Sequence, residues 1–144
     1  MREILFRGKT IKQNNGVTTE KPIKENMWVY GNLTVGKIEG YKCDMISNKH
    51  EIYYINPETI GQFTGLTDKN GKKIFEGDIH ERENHFFVVK YGKYRDCETY
   101  EDVYGWYFEY THEKGCVGFD GTESKYVNII GNIHDNKELL DIGE

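Results

Sequence analysis

The sequence has no long hydrophobic run. None of its apolar stretches approaches the roughly 20 residues that a membrane-spanning helix needs. The first ten residues, MREILFRGKT, also lack the apolar core of about 7–15 residues that marks a secretory signal. We therefore expect a cytoplasmic protein that makes no use of a membrane.

Cysteine and proline are also scarce, and acidic residues outnumber basic ones. The three cysteines, Cys43, Cys97 and Cys116, are odd in number and widely spaced, which is typical of reduced thiols. With only two prolines, most turns must depend on the 16 glycines and on Asn and Asp. The formal net charge of −5 disfavours sequence-independent binding to nucleic acid, although a local basic patch would offset it.

Several motifs that carry chemistry are missing as well. The glycines are scattered in turn contexts and do not form a phosphate-binding loop that opens a helix. Neither a G-x-S-x-G elbow nor an H-E-x-x-H pair occurs. These absences remove the commonest sequence signals of nucleotide-binding enzymes, serine hydrolases and zinc peptidases.

Aromatic residues are abundant, at 14% of the chain with 11 tyrosines, and so many predict a folded protein. Short strand-like runs recur every 8–12 residues or so with turn signals between them, which favours β structure. The alternation of Trp106, Phe108 and Tyr110 predicts a strand with one face packed inward. A two-residue loop at Gly31-Asn32 predicts a hairpin, and the polar run over residues 91–101 predicts a loop.

The stretch Thr59–Ile79 organises the chain. Its central Asn70-Gly71 is the strongest short-range signal for a hairpin, because both residues tolerate a positive φ in a tight turn. Apolar pieces on each side, Ile60–Leu66 and Ile74-Phe75, are suited to the two flanking strands. We expect this turn to seed a core built from strands.

Three segments resemble one family. The central QFTGLTDKNGKKIFEGDI, the N-terminal REILFRG and the C-terminal YVNIIGNIHDNKELL are similar, in this order, to the signature of the YopX-like proteins of phages and prophages. The resemblance implies a bacterial phage or prophage origin. It implies no catalytic residue, since the family supplies no biochemical activity that can be carried over.

The predicted fold is mainly β. We expect an SH3-like small barrel over residues 57–144 and an additional β-rich lobe over residues 1–56, with one compact domain as the alternative. Asn136–Leu140 follows Asp135, a suitable N-cap, and predicts a short C-terminal helix at most.

Glu76, Asp78 and His80 form the first candidate site. In an extended segment, their spacing would place two carboxylates and an imidazole on one face, where they could hold a metal or transfer protons. The favoured alternative is a turn in which Asp78 bonds nearby backbone N–H groups and His80 lies on a solvated strand face. We therefore expect no catalytic, cofactor or metal site here.

Two further site hypotheses are weaker. Cys97, His112 and Cys116 could be zinc ligands, but neither a fourth ligand nor a close Cys pair is visible. Glu123-Ser124-Lys125, after the acidic residues Asp102 and Asp120, resembles the carboxylate and lysine spacing of restriction-type nucleases. That architecture requires helices around a sheet, and the sequence has few helical signals.

The lysines and tyrosines suggest binding surfaces. Lys69, Lys72 and Lys73 form a basic tip which, with Tyr91 and Tyr94, could bind a single strand of nucleic acid. The alternative is a solvated loop beside a core strand. Eleven tyrosines also exceed what a small barrel can bury, and tyrosine is favoured at protein interfaces.

The sequence therefore predicts a protein that is not an enzyme and that needs no cofactor. We expect a binding or accessory module that self-associates as a homo-oligomer or binds a protein partner. A nucleic-acid-associated phage protein is the first alternative, and a metal-dependent hydrolase that uses Glu76, Asp78 and His80 is the second.

Overall fold

The computed structural model describes residues 3–11, 25–38, 40–49, 51–119 and 124–140, and these residues are mainly β with no α-helix. Within them, no helix has the length and hydropathy to cross a bilayer. The strands are β1 Phe6–Lys9, β2 Trp28–Ile38, β3 Tyr41–Ser47, β4 Ile52–Tyr54, β5 Gly61–Thr67, β6 Lys73–Phe75, β7 Asp78–Arg82, β8 His85–Arg95, β9 Asp102–Tyr110, β10 Cys116–Gly118 and β11 Ile129–Asn132. Short 3-10 helices span Pro57–Thr59, Ser124–Tyr126 and Lys137–Leu140.

The chain divides into two compact units, Met1–Phe63 and Thr64–Glu144, and the division falls within strand β5. The sequence placed its boundary earlier, between residues 56 and 57. In the first unit the strand order is β4-β3-β2-β1-β5, and the neighbouring strands are antiparallel. Its core contains Val29, Ile46 and Ile55, each at most 5% exposed.

The prediction of a hairpin at Gly31-Asn32 is wrong, because both residues lie within strand β2. The strand continues through both residues, pairing first with β1 up to Gly31 and then with β3 from Asn32 onward. A Cβ atom on Gly31 would lie 2.2 Å from the carbonyl oxygen of Ser47. The glycine therefore permits close approach of two backbones, and the turn signal was misread. The positive φ in this region, +85°, belongs to Gly40 before β3.

The second unit contains a five-stranded antiparallel sheet in the order β10-β9-β8-β7-β11, and the end of β5 adjoins β6. Phe108 is buried, and Trp106 and Tyr110 are partly buried against the same core, as their alternation predicted. The core residues are Ile74, Phe87, Val89, Phe108, Phe119, Val127 and Ile129. Four of these residues, Phe87, Val89, Phe108 and Ile129, lie on the five-stranded sheet, whereas Ile74 lies on β6 and Phe119 and Val127 lie outside the strands.

The predicted turn at Asn70-Gly71 is confirmed. Gly71 has a φ of +81°, and the amide of Asp68 donates to the carbonyl of Lys72 at 2.7 Å, which closes the loop between β5 and β6. The Asp68 carboxylate accepts from the amides of Asn70 at 2.8 Å and Lys72 at 2.9 Å. It also accepts from the buried amide of Ile129 at 3.3 Å. The aspartate thus joins the turn to β11.

The loop that was predicted over residues 91–101 is confirmed only in part, because residues 91–95 belong to strand β8 and residues 96–101 connect it to β9. The two strands pair from Phe87↔Tyr110 to Arg95↔Asp102. Gly92 and Gly105 face each other across the strands with φ values of +145° and +158°, a region that favours glycine. Beyond the two glycines, Asp96 at the hairpin tip forms an isolated β-bridge with Cys116, the first residue of β10. The paired glycines therefore supply the backbone freedom that this bridge requires.

The SH3-like barrel is not confirmed. Within the described residues, the strands form two antiparallel sheets that are not closed into a barrel, and the five-stranded sheet ends at β10 and β11, which each have one neighbour there. At the C-terminal end, the expected short helix is a 3-10 turn over Lys137–Leu140. The side chain of Asn132, rather than Asp135, accepts the backbone N–H groups of His134 and Asp135 before this turn.

Candidate functional site

Asp78 has a backbone role in the structure. Its side chain is 1% exposed, and its Oδ2 accepts from the amide of Phe75 at 2.8 Å. Between them, Gly77 has a φ of +91° and its amide donates to the carbonyl of Val89. Glu76-Gly77-Asp78 is therefore a turn whose carboxylate fixes the entry into β7, which is the interpretation that the sequence favoured.

His80 differs from its predicted place on a solvated face, because it is only 5% exposed. Its ring lies against Phe87, with centroids 5.5 Å apart, and against Phe108, with centroids 4.9 Å apart. The amide of Asn128 donates to Nδ1 at 2.9 Å, so the neutral ring carries its proton on Nε2. Burial lowers the pKa of His80 from its ordinary value, and this effect outweighs the contact of Nδ1 with the Asn128 carbonyl, which raises the pKa.

The structure brings Cys97 and Cys116 together but does not gather a complete ligand set among the described residues. Among the described residues, no three His, Cys, Asp or Glu side chains gather in a way that could hold a metal ion. The amide of Cys97 donates to the carbonyl of Cys116, whereas His112 lies against the ring of Phe86. Asp120 and Glu123, from the nuclease-like spacing, are outside the described residues.

A pocket of 370 Å³ opens on the same sheet face as His80. The register aligns His80 of β7, Phe87 of β8 and Tyr110 of β9 in one row across three strands. The pocket is lined by His80, Arg82, Glu83, His85, Phe87, Glu98, Phe108, Tyr110, Val117, Tyr126 and Val127. Its volume falls within the range that is usual for sites that bind small molecules, about 300–1,000 Å³.

The pocket combines apolar walls with a few neutral donors. Burial raises the pKa of Tyr110, with further contributions from Cys97 and Glu113, so its hydroxyl stays protonated at neutral pH. Arg82, Glu83, His85 and Glu98 are exposed at the rim and offer both signs of charge. The floor thus holds uncharged hydrogen-bonding groups beside aromatic rings.

A second surface, the aromatic strip, consists of Tyr91, Tyr104 and Trp106 on β8 and β9. The ring centroids of Tyr91 and Trp106 are 4.8 Å apart, and those of Tyr91 and Tyr104 are 5.6 Å apart. Tyr91 is 50% exposed and Tyr104 is 71% exposed. Large aromatic side chains are therefore held against one another while their outer surfaces stay in solvent.

The basic tip of Lys69, Lys72 and Lys73 is solvated, as the alternative interpretation expected. Tyr94 does not join it, because its ring stacks on Tyr107, with centroids 4.6 Å apart. Neither tyrosine belongs to the aromatic strip. The strip is therefore the larger exposed aromatic surface on this hairpin.

Sequence reasoning missed most of the pocket. Its strongest available signal was the alternation Asp78-x-His80-x-Arg82, since residues two apart on a strand share a face. Glu98 and Tyr126 reach the pocket from a hairpin tip and a 3-10 helix, respectively. No local pattern could have placed these two residues beside His80, because their positions depend on strand register and on the return of the hairpin.

Comparison with curated proteins finds no match. Among solved structures, the crystal structure of protein EF1440 from Enterococcus faecalis is 24% identical, with 98% of this chain and 100% of that chain covered and a TM-score of 0.46. The family model described as YopX protein matches residues 6–141, which include all eleven strands described above. The chain therefore belongs to the YopX protein family.

Proposed function

We propose that this protein is a non-enzymatic binding module of a phage or prophage, acting in the cytoplasm of the bacterial host. It works by self-association or by binding a protein partner. The observation that carries this proposal is the aromatic strip. Tyr91 and Tyr104 expose half or more of their surface, and Tyr91 makes T-shaped contacts with both Tyr104 and its cross-strand partner Trp106.

Such a strip is suited to a protein interface. Tyr and Trp lose little conformational entropy on binding and present a large apolar body with one polar group. Here the ring contacts already restrict the rotamers of Tyr91 and Tyr104 before a partner arrives. Pre-ordered side chains reduce the entropic cost of association, so this surface is well prepared to bind.

The polar residues that first suggested catalysis support a structural role. Asp78 uses Oδ2 to hold the amide of Phe75, and His80 uses Nδ1 to hold the amide of Asn128. Both groups serve the backbone at the ends of β7 and β11. A general base or a metal ligand needs its lone pairs directed to substrate or metal.

Light scattering coupled to size-exclusion chromatography tests the proposal. The native protein is expected to show an average mass that rises with concentration between about 5 and 500 μM, a range chosen to span moderate affinities. The double variant Tyr91→Ser and Tyr104→Ser is expected to stay monomeric. The matched control Tyr100→Ser removes an equally exposed tyrosine outside the strip and should leave the mass profile unchanged.

Two results would contradict self-association through the strip. One is a strict monomer at every concentration, which leaves binding to a protein partner as the remaining form of the proposal. The other is an oligomer that the double variant retains. In the second case, the interface lies elsewhere on the chain.

Nucleic-acid association is the second candidate, and one observation favours it. Lys93 pairs with Tyr104 across the strands, and Arg95 follows Lys93 on the same face. Cations beside stacked aromatic rings are typical of surfaces that bind single strands. A gel shift at low salt with a single-stranded oligonucleotide should then be lost in Lys93→Ala with Arg95→Ala. Free migration of the oligonucleotide at micromolar protein removes this candidate.

A further inference from the structure

The pocket beside His80 contains a buried polar group whose second nitrogen is free to bind a ligand. His80 is 5% exposed, and Nδ1 is already used by the amide of Asn128. Among the described residues, Nε2 has no hydrogen-bond partner. His80 lines the pocket, so an acceptor bound there could take this N–H in surroundings that hold little water, where a hydrogen bond is stronger than in bulk solvent.

The shape of the pocket restricts what can supply the acceptor. Phe87, Phe108 and Tyr110 form a connected aromatic wall, with ring centroids 6.0 Å apart for the first pair and 4.4 Å apart for Phe87 and Tyr110. Tyr126, 64% exposed, lines the same pocket from a different segment. Aromatic surfaces contributed by two segments favour a flat ring that can stack.

The charged residues at the rim carry both signs and so do not favour a ligand with a strong net charge. Arg82 and His85 are cross-strand partners at the rim, and Glu83 and Glu98 are at the same rim. A positively or negatively charged ligand would be attracted by some of these rim residues and repelled by others. A neutral ligand that has both hydrogen-bond donors and acceptors could bond the basic and the acidic residues alike. The floor adds the Nε2–H of His80 and the hydroxyl of Tyr110, which are both uncharged.

We propose that this pocket binds a neutral heteroaromatic ring that carries a carbonyl or ring-nitrogen acceptor beside an N–H donor, the chemical class of the nucleobases. The acceptor bonds Nε2–H of His80, the ring stacks on the aromatic wall and the donor faces the rim glutamates. The ring can come from a free nucleoside or from a base in a single strand. The pocket does not include the aromatic strip, so this site stands independently of the proposed interface.

Isothermal titration with the four common nucleosides, in 0.5 M salt to screen phosphate contacts, tests the proposal. At least one nucleoside is expected to bind with a Kd below about 1 mM. Benzoate and benzylamine, flat rings of either charge, should bind at least tenfold more weakly. Tyr110→Phe should weaken nucleoside binding about fivefold to tenfold, and Tyr126→Ala at least as much. The matched control Tyr107→Phe, on the same strand but facing away from the pocket, should bind as the native protein does.

Two further measurements complete the test. Long-range ¹⁵N–¹H spectra should show Nε2 of His80 shifting on saturation. Titration with a single-stranded 12-nucleotide oligonucleotide in the same salt identifies the source of the ring. A lower Kd than that of the nucleoside indicates a base within a strand, and a higher Kd indicates the free nucleoside. The proposal is overturned if no nucleoside binds below about 1 mM, or if Tyr110→Phe and Tyr126→Ala bind like the native protein.

Discussion

Asp68 provides the most direct test of how this fold is held together. The residue is 5% exposed and accepts three backbone N–H groups, two from the turn and one from Ile129 on β11. Asp68→Ala removes all three acceptors. The turn amides can bond water instead, because Asn70 and Lys72 are exposed, but the amide of Ile129 is buried and stays unpaired.

The expected loss follows from those three bonds. An unpaired buried amide costs about 1–3 kcal/mol, and each exposed turn bond contributes roughly 0.5–1.5 kcal/mol. Asp68→Ala should therefore reduce the free energy of unfolding by about 3–4 kcal/mol. Asp68→Asn retains one acceptor oxygen and the side-chain shape, so about half of that loss is expected.

The assay is urea unfolding followed by tryptophan fluorescence. The chain has one tryptophan in each unit, Trp28 and Trp106, so a Trp28→Phe background reports on the second unit alone. Asp102→Ala, which removes an exposed aspartate from β9, should change stability by less than about 0.5 kcal/mol. A loss below about 1 kcal/mol in Asp68→Ala would refute the reasoning that the carboxylate joins the turn to β11.

Three further outcomes are expected. Gly31→Ala should lower the free energy of unfolding of the first unit by at least about 2 kcal/mol, because its Cβ would lie 2.2 Å from a backbone oxygen. Gly36→Ala on the same strand, whose Cβ would lie 3.9 Å from the nearest atom, should cost under about 1 kcal/mol. Urea unfolding of the two variants compares these losses. Because the pKa of His80 is lower in the folded state, the unfolded chain takes up the proton at higher pH, and the free energy of unfolding should fall as the pH drops below 6.5. Unfolding measured over pH 5–8 should show a smaller dependence of this free energy on pH in His80→Gln than in the native protein. Asp96→Ala should cost about 1–2 kcal/mol in the same fluorescence assay, because two amides at the hairpin tip lose their acceptor.

The parts of the fold that depend on local chemistry could be predicted from the sequence. Asn70-Gly71 determines a turn by itself, because few other residue pairs accept the backbone angles that the turn requires. The alternation of Trp106, Phe108 and Tyr110 likewise determines a face. Both features were correct because the cause lies within a few residues.

The wrong predictions concern a glycine and a polar run whose structure depends on residues far away in the sequence. Gly31 was read as a turn, although its role depends on Ser47, which approaches from another strand. The polar residues over 91–101 were predicted as a loop, yet residues 91–95 pair across the long hairpin and only residues 96–101 connect its strands. The candidate pocket was missed for the same reason: Tyr110 and His80 are thirty positions apart and meet only through the register of three strands.

Strand β5 has a practical consequence for anyone who wishes to study one half of this protein. Its first residues complete the first unit, where Gly61 and Gln62 pair with β1 and the amide of Phe63 donates to Leu5. The hydroxyl of Thr64, the next residue, donates to Ile74 in the second unit. A fragment that ends before Pro57 would lack β5 and leave β1 as an unpaired edge strand, and such edges pair with other chains and promote aggregation. Such a fragment should precipitate, whereas one that ends after Phe63 retains the pairing partner of β1.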